Sequence, residues 1–144
     1  IVDRDPRDLY VSCKMIWKED HVAPVDDPVL FCKWYRFARE CAKKETYDST
    51  RVLKLQFEDM IYKYEESKQK IVAMVGLNEK NHIKPFAGFN PKRSVGNTQL
   101  WKRYPELTKD IKTIEKILPE YLYDFDNFKS NEILGIEPDS TKSF

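Results

Sequence analysis

Two Asp-Pro steps, Asp5-Pro6 and Asp27-Pro28, fix where this chain can begin a helix. An aspartate accepts hydrogen bonds from the first orphan N–H groups of a helix. A proline just inside the helix start lacks the N–H that would go unpaired there in any case. After the first step, Leu9, Cys13, Ile16 and Trp17 recur at i, i+4, i+7 and i+8, one apolar helical stripe. After the second, Leu30, Phe31, Trp34, Phe37, Ala38 and Cys41 make a broad apolar face. Ile1-Val2 reads as the end of a strand, so the chain enters on a strand-to-helix turn that carries Arg4.

Residues 51–57 alternate, with Leu53, Leu55 and Phe57 on one face and Val52, Lys54 and Gln56 on the other. This pattern predicts a second strand, ended by Glu58-Asp59. A helix is expected over residues 64–75 with Ile71, Val72 and Val75 inward, closed by Gly76 and Leu77 in a Schellman-type end. Residues 78–105 form a long irregular stretch whose aromatic residues (Phe86, Phe89, Trp101 and Tyr104) argue for order. Thr108 is expected to cap a further helix that buries Ile111, Ile114, Ile117 and Leu118, with Pro119 ending it and an aromatic-rich stretch over residues 121–128.

The order strand, helix, helix, strand, helix, loop, helix implies an α/β layer with parallel strands. Residues 1–128 are read as one unit and residues 129–144 as a polar tail. Two strands make a poor sheet on their own. The expectation is therefore that further strands come from a segment preceding Ile1, from a partner chain or from a homo-oligomer.

A length of 144 residues with a formal net charge of +1 excludes a polyelectrolyte such as a typical nucleic-acid binder. No apolar run approaches the roughly 18 residues that span a bilayer. The charge is uneven, however: residues 80–105 hold no Asp or Glu but carry Lys80, Lys84, Lys92, Arg93, Lys102 and Arg103. Such a segment draws small anions locally. Cys13, Cys32 and Cys41 are odd in number and lie at helical spacing among apolar residues. They are read as buried thiols in a reducing, cytoplasmic compartment, with neither a disulfide nor a metal site.

Two segments could hold a phosphate monoester. Arg4 at the strand end can grip it through two parallel charge-assisted hydrogen bonds, and Ser12 lies two helical turns on. An arginine between Asp3 and Asp5 also fits a surface ion pair. Residues 92–98 combine Lys92, Arg93, Ser94, Gly96 and Thr98, with a glycine that lets backbone N–H groups approach an anion. Neither segment specifies a reaction.

Residues 1–12 and the Lys92…Trp101 stretch together resemble the sulfotransferase family that uses 3′-phosphoadenosine 5′-phosphosulfate (PAPS), and the likeness runs to about Phe125. The style is that of bacterial and carbohydrate-modifying members, with an Arg-Ser…Asn-Thr…Trp loop. The resemblance implies a P-loop-type parallel-sheet sulfotransferase fold, of which this chain is the C-terminal, 3′-phosphate-binding half. It implies that Arg4, Ser12, Lys92, Arg93, Ser94 and Gly96 contact the donor. Phe57, where the family has a tyrosine, lies near the adenine without its hydroxyl. The implied ligands are PAPS and its product 3′-phosphoadenosine 5′-phosphate (PAP), with a hydroxyl acceptor of carbohydrate type and no metal.

The family's phosphosulfate loop and catalytic base have no counterpart here. His21 and His82 are read as surface residues, and a non-catalytic module that keeps only the fold is the alternative function. A nucleotide kinase is disfavoured: it too needs a phosphate loop, and the Arg4…Ser12 pair fits a 3′-phosphate better than a lid arginine.

Overall fold

The computed structural model describes residues 1–126, apart from residues 19, 20, 45–47, 49, 79, 81–83 and 85. His82, Phe128 and the expected tail over residues 129–144 lie outside the described residues.

Strand β1 (Val2–Asp3) passes directly into helix α1 (Pro6–Val11). The predicted cap is present: Asp5 Oδ1 accepts the backbone N–H of Arg7 at 2.8 Å, with Pro6 at the first helical position. After Val11 the backbone widens into a π-helical turn, Ser12–Trp17, which Lys18 closes in a left-handed conformation at φ 54°. The wider turn rotates every later side chain away from 3.6-residue spacing. Ile16 and Trp17, expected inward, are therefore 40% and 52% exposed, while Tyr10, Val11 and Cys13 are buried.

Helix α2 (Pro28–Lys44) also starts at its predicted cap, with Asp27 Oδ1 accepting the N–H groups of Val29 and Leu30 at 2.8 and 3.3 Å. Its inward face keeps the expected Phe31 and, partly buried, Trp34, and otherwise differs from the expected one. Phe31, Cys32 and Tyr35 are buried, whereas Leu30 and Phe37 are 50% and 67% exposed and Cys41 faces solvent. Tyr35 explains the rotation. Its hydroxyl donates to the Arg4 carbonyl at 2.6 Å and its ring packs edge-on to Tyr121 at 5.4 Å, so a residue that looks polar in sequence is fully satisfied inside. Buried thiols are thus Cys13 and Cys32, without Cys41.

Strand β2 (Leu55–Gln56) runs parallel to β1, with Val2 opposite Leu55 and Asp3 opposite Gln56. It is much shorter than the alternation over residues 51–57 predicts. Phe57 already opens helix α3 (Phe57–Tyr62), whose first turn holds Glu58 and Asp59. Acidic residues favour the electropositive start of a helix, so these two residues begin α3 where they were expected only to end a strand. Helix α4 (Tyr64–Val75) has the predicted bounds and the predicted end: Gly76 is left-handed at φ 67°, and Leu77 N–H reaches the Val72 carbonyl at 3.2 Å. Its inward residue is Ser67, however, while Ile71 and Val75 are 38% and 60% exposed. The Ser67 hydroxyl ties α4 to the Asp59 carbonyl of α3 at 3.1 Å, which turns the apolar side outward.

The irregular stretch is built from short helical turns: α5 (Pro91–Ser94), then Val95–Asn97, Leu100–Arg103 and Pro105–Leu107. Helix α6 (Thr108–Ile117) follows, and Thr108 is its first residue with Leu107 in the cap position, so the expected Thr108 cap is not made. Ile111, Ile114 and Leu118 are buried as predicted and pack with α1 and α2 into one core that also holds Tyr10, Phe31 and Leu107. The result is a mostly helical α/β mix around two short parallel strands. Among the described residues no helix is long and apolar enough to cross a membrane.

The rotated α2 face has a direct test. Phe31→Ala is expected to cost about 3–5 kcal/mol in urea unfolding, and Phe37→Ala to stay within about 0.5 kcal/mol. Equal losses would restore the face read from spacing alone.

Candidate functional site

Arg4 occupies the turn between β1 and α1, where the parallel strands end and the first helix begins. The two carboxylates beside it in sequence are both engaged elsewhere. Asp3 pairs with Arg39 of α2 at 2.9 Å, and Asp5 pairs with Arg7 at 2.8 Å. Among the described residues Arg4 makes no ion-pair contact of its own. Its Nη2 donates to the Asn97 carbonyl at 2.5 Å, and its guanidinium lies 5.1 Å from the centre of the Phe57 ring. Its Nε is buried and has no hydrogen-bond partner among the described residues. Burial lowers the Arg4 pKa, against the carboxylates of Asp8 and Glu58, which raise it. A buried guanidinium N–H without an acceptor costs free energy.

Two segments 93 residues apart therefore meet at Arg4. The second is held by its own cap: Asn90 Oδ1 accepts Lys92 N–H at 3.0 Å, and Pro91 occupies the first helical position of α5. Lys92 and Arg93 stand exposed on that single turn, and Ser94 is half-buried. Thr98 Oγ1 meets the Tyr62 hydroxyl at 2.6 Å, which pins the segment to α3. Of the residues expected to contact a donor, the structure thus brings Arg4, Phe57 and the turn of Lys92, Arg93 and Ser94 into one region.

Two of the expected contacts look different. Ser12 begins the π-helical turn and is only 2% exposed. Gly96 does not adopt a left-handed conformation, and a side chain there would meet nothing within 4 Å. Open space therefore surrounds Gly96 on the side a side chain would take, among the described residues. The left-handed residue of the loop is Gln99, at φ 53°. Its N–H and that of Leu100 both point at Asp8, with Oδ2 and Oδ1 accepting at 2.9 and 2.6 Å.

Asp8 is the residue that sequence reasoning missed. It is fully buried in the first turn of α1, facing Arg4 and Asp5. Burial pushes its carboxyl up to about 7, helped by Asp5 and opposed by Arg4 and by the N–H groups of Leu100 and Gln99. Glu58, which accepts Asp5 N–H at 2.9 Å and the Gln56 amide at 2.8 Å, is likewise raised by burial. The only sequence signal for Asp8 was its place four residues after Arg4, which an acidic helix start explains equally well.

A cavity of about 440 Å³ opens on the side of the sheet that Asp3 and Gln56 face, walled by Tyr35, Tyr121 and Tyr123. Its acids are paired: Asp3 with Arg39, Asp59 with Lys63 at 3.0 Å, and Glu120 with Arg36 at 2.9 Å. Arg4 is not among its lining residues. His21 is exposed. No family model, curated protein or solved structure matches the chain.

Asp8 gives the fold a pH dependence with a defined sign. Its pKa is higher in the folded chain than the ordinary 3.8, so the folded state holds a proton that the unfolded state releases. The stabilisation is complete below about pH 4 and is lost as pH rises through about 7. Chemical denaturation between pH 5 and 8 is expected to show this fall, and Asp8→Asn to flatten it. An unchanged slope in the variant would remove Asp8 as the source.

Proposed function

We propose that this chain is the 3′-phosphoadenosine-binding part of a PAPS-dependent sulfotransferase that transfers a sulfuryl group to a hydroxyl acceptor of carbohydrate type. The observation that carries the reading is Arg4: a guanidinium at the strand-to-helix turn, with one buried N–H lacking an acceptor and both neighbouring carboxylates committed to other arginines. A 3′-phosphate would answer the guanidinium charge that no carboxylate contacts among the described residues, and Lys92 and Arg93 lie exposed on the turn that precedes Asn97. Phe57 offers a ring for the base beside Arg4.

In this reading the residues named here position the donor and do not touch the reacting sulfur. Sulfuryl transfer breaks the bond from sulfur to the donor's bridging phosphate oxygen and forms a bond from sulfur to the acceptor oxygen. The acceptor proton passes to a base. Catalysis is then largely orientation plus stabilisation of spread negative charge. Groups at the sulfur and the base are assigned to no residue of this chain. The further strands that a two-stranded parallel sheet needs on its flanks belong, in the same reading, to another segment of the enzyme or to a second copy. Ile1 and Val2, 48% and 54% exposed, are where such strands would pack. A reducing, cytoplasmic setting suits the buried Cys13 and Cys32.

One observation favours the second reading, a binding module without catalysis. Ser12, expected to be a direct phosphate ligand, is 2% exposed and so offers least to a ligand arriving from solvent.

Calorimetric titration with PAP tests the proposal. Saturable binding is expected, weakened by about ten- to a hundredfold in Arg4→Ala, as for the loss of one charge-assisted contact. No binding by the folded wild-type chain, or equal binding by the variant, would overturn the assignment of Arg4.

A further inference from the structure

We infer that Asp8 is a positioning residue: its carboxylate latches the basic loop to α1 and thereby sets the orientation of the Arg4 guanidinium. The inference rests on the anion-site reading of Arg4 for its consequence, while the latch itself stands on geometry alone. A continuous relay leads from helix to guanidinium. Asp8 Oδ1 and Oδ2 hold the N–H groups of Leu100 and Gln99 at 2.6 and 2.9 Å. Two residues earlier, the Asn97 carbonyl receives Arg4 Nη2 at 2.5 Å. Asp8 thus holds the loop from the residues that follow Asn97, as the Thr98 hydroxyl does through Tyr62.

Three features show that the carboxylate imposes this geometry. Gln99 is left-handed at φ 53°, a conformation that costs a non-glycine residue free energy and persists where its surroundings over-determine it. Asp8 is completely buried, so both carboxylate oxygens require partners within the protein, and the two loop N–H groups provide them. The flanking turns carry their own ties, Thr98 to Tyr62 on one side and the Arg103 guanidinium to the Gly96 carbonyl on the other. The Gln99–Leu100 step is thus the point at which an already folded loop is fastened to α1.

The two roles open to Asp8 predict opposite signs. As a mere negative charge near an anion site it would repel a phosphate, and its removal would tighten binding. As the latch it must be present for Arg4 to be aligned, and its removal weakens binding.

Hydrogen exchange and PAP titration of the chain separate these outcomes. In Asp8→Ala, faster amide exchange is expected over residues 97–103, with protection kept in α2 and α6. PAP affinity is expected to fall about tenfold. Asp8→Asn, of the same shape and with one acceptor oxygen left, is expected to recover part of both and serves if the alanine variant does not fold. In an Arg4→Lys background, which keeps the charge but loses the planar fork, the Asp8 substitution is expected to have little further effect, the mark of action through Arg4.

Unchanged exchange over residues 97–103 would overturn the latch whatever PAP does. Tighter PAP binding in Asp8→Ala, or a loss undiminished in the Arg4→Lys background, would overturn its link to Arg4. A wild-type chain that does not bind PAP would sink both the donor reading and that link, and the exchange result would still decide the latch.

Discussion

The fold depends on the buried carboxylate of Asp5. One oxygen caps α1 through the Arg7 N–H and also accepts Arg7 Nε at 3.0 Å; the other accepts Arg7 Nη2 at 2.8 Å and the Tyr123 N–H at 2.9 Å. Its own backbone N–H donates to Glu58 of α3 at 2.9 Å. One residue thus fastens the β1–α1 turn, the start of α3 and the segment after α6. Such a group must be completely satisfied, because a buried carboxylate missing a partner costs several kcal/mol. Arg7 answers the requirement on the far side as well, reaching Glu115 of α6 at 3.0 Å and lying 3.9 Å from the Trp101 ring centre. With Asp5 and Arg7 bound to each other, Arg4 is the cation of this turn left without a carboxylate contact among the described residues.

That division between a structural arginine and an uncommitted one was only half legible in the sequence. The Asp5-Pro6 cap, the bounds of α4, its Gly76 end and the buried side of α6 all follow from local rules, since each depends on residues within a few positions of one another. Which of Arg4 and Arg7 would be consumed by Asp5 depends on where α6 and the segment after it lie, more than 100 residues away. The same limit explains the rotated helix faces. Spacing favoured Phe37 and Ile16 as inward residues, but the π-helical turn after Val11 and the bond from Tyr35 to the Arg4 carbonyl are tertiary choices. The short β2 has a similar origin, because alternation continues through Phe57 in sequence while the acidic pair Glu58-Asp59 has already started a helix.

Within the candidate site, the residue types were legible and the wiring was not. Arg4 and the basic turn stood out as cationic groups with hydroxyls nearby. Gly96 was singled out for its freedom, but the left-handed backbone of this segment falls on Gln99. A left-handed glutamine gives no sequence signal, because its conformation is imposed by Asp8 from another element. Ser12 shows the converse: it stands out in sequence by its spacing from Arg4, and it lies in the interior at the end of α1.

The charge balance around Arg4 decides what kind of ligand the region can accept. Two guanidinium groups, Arg4 and Arg7, face three buried carboxylates, Asp5, Asp8 and Glu58. With every group ionised, the buried cluster would carry a net negative charge and turn anions away. Two features reverse this. Burial raises the carboxyls of both Asp8, to about 7, and Glu58, so each is nearer to neutral than a surface acid. The loop bound to Asp8 carries only cations on its exposed side, Lys92, Arg93, Lys102 and Arg103. In the proposed anion site, a docked loop adds these cations to the surroundings of Arg4. On that reading, binding strength would depend on how firmly Gln99 and Leu100 are fastened to α1 as well as on Arg4 itself, and it could be tuned without altering a residue that touches the ligand.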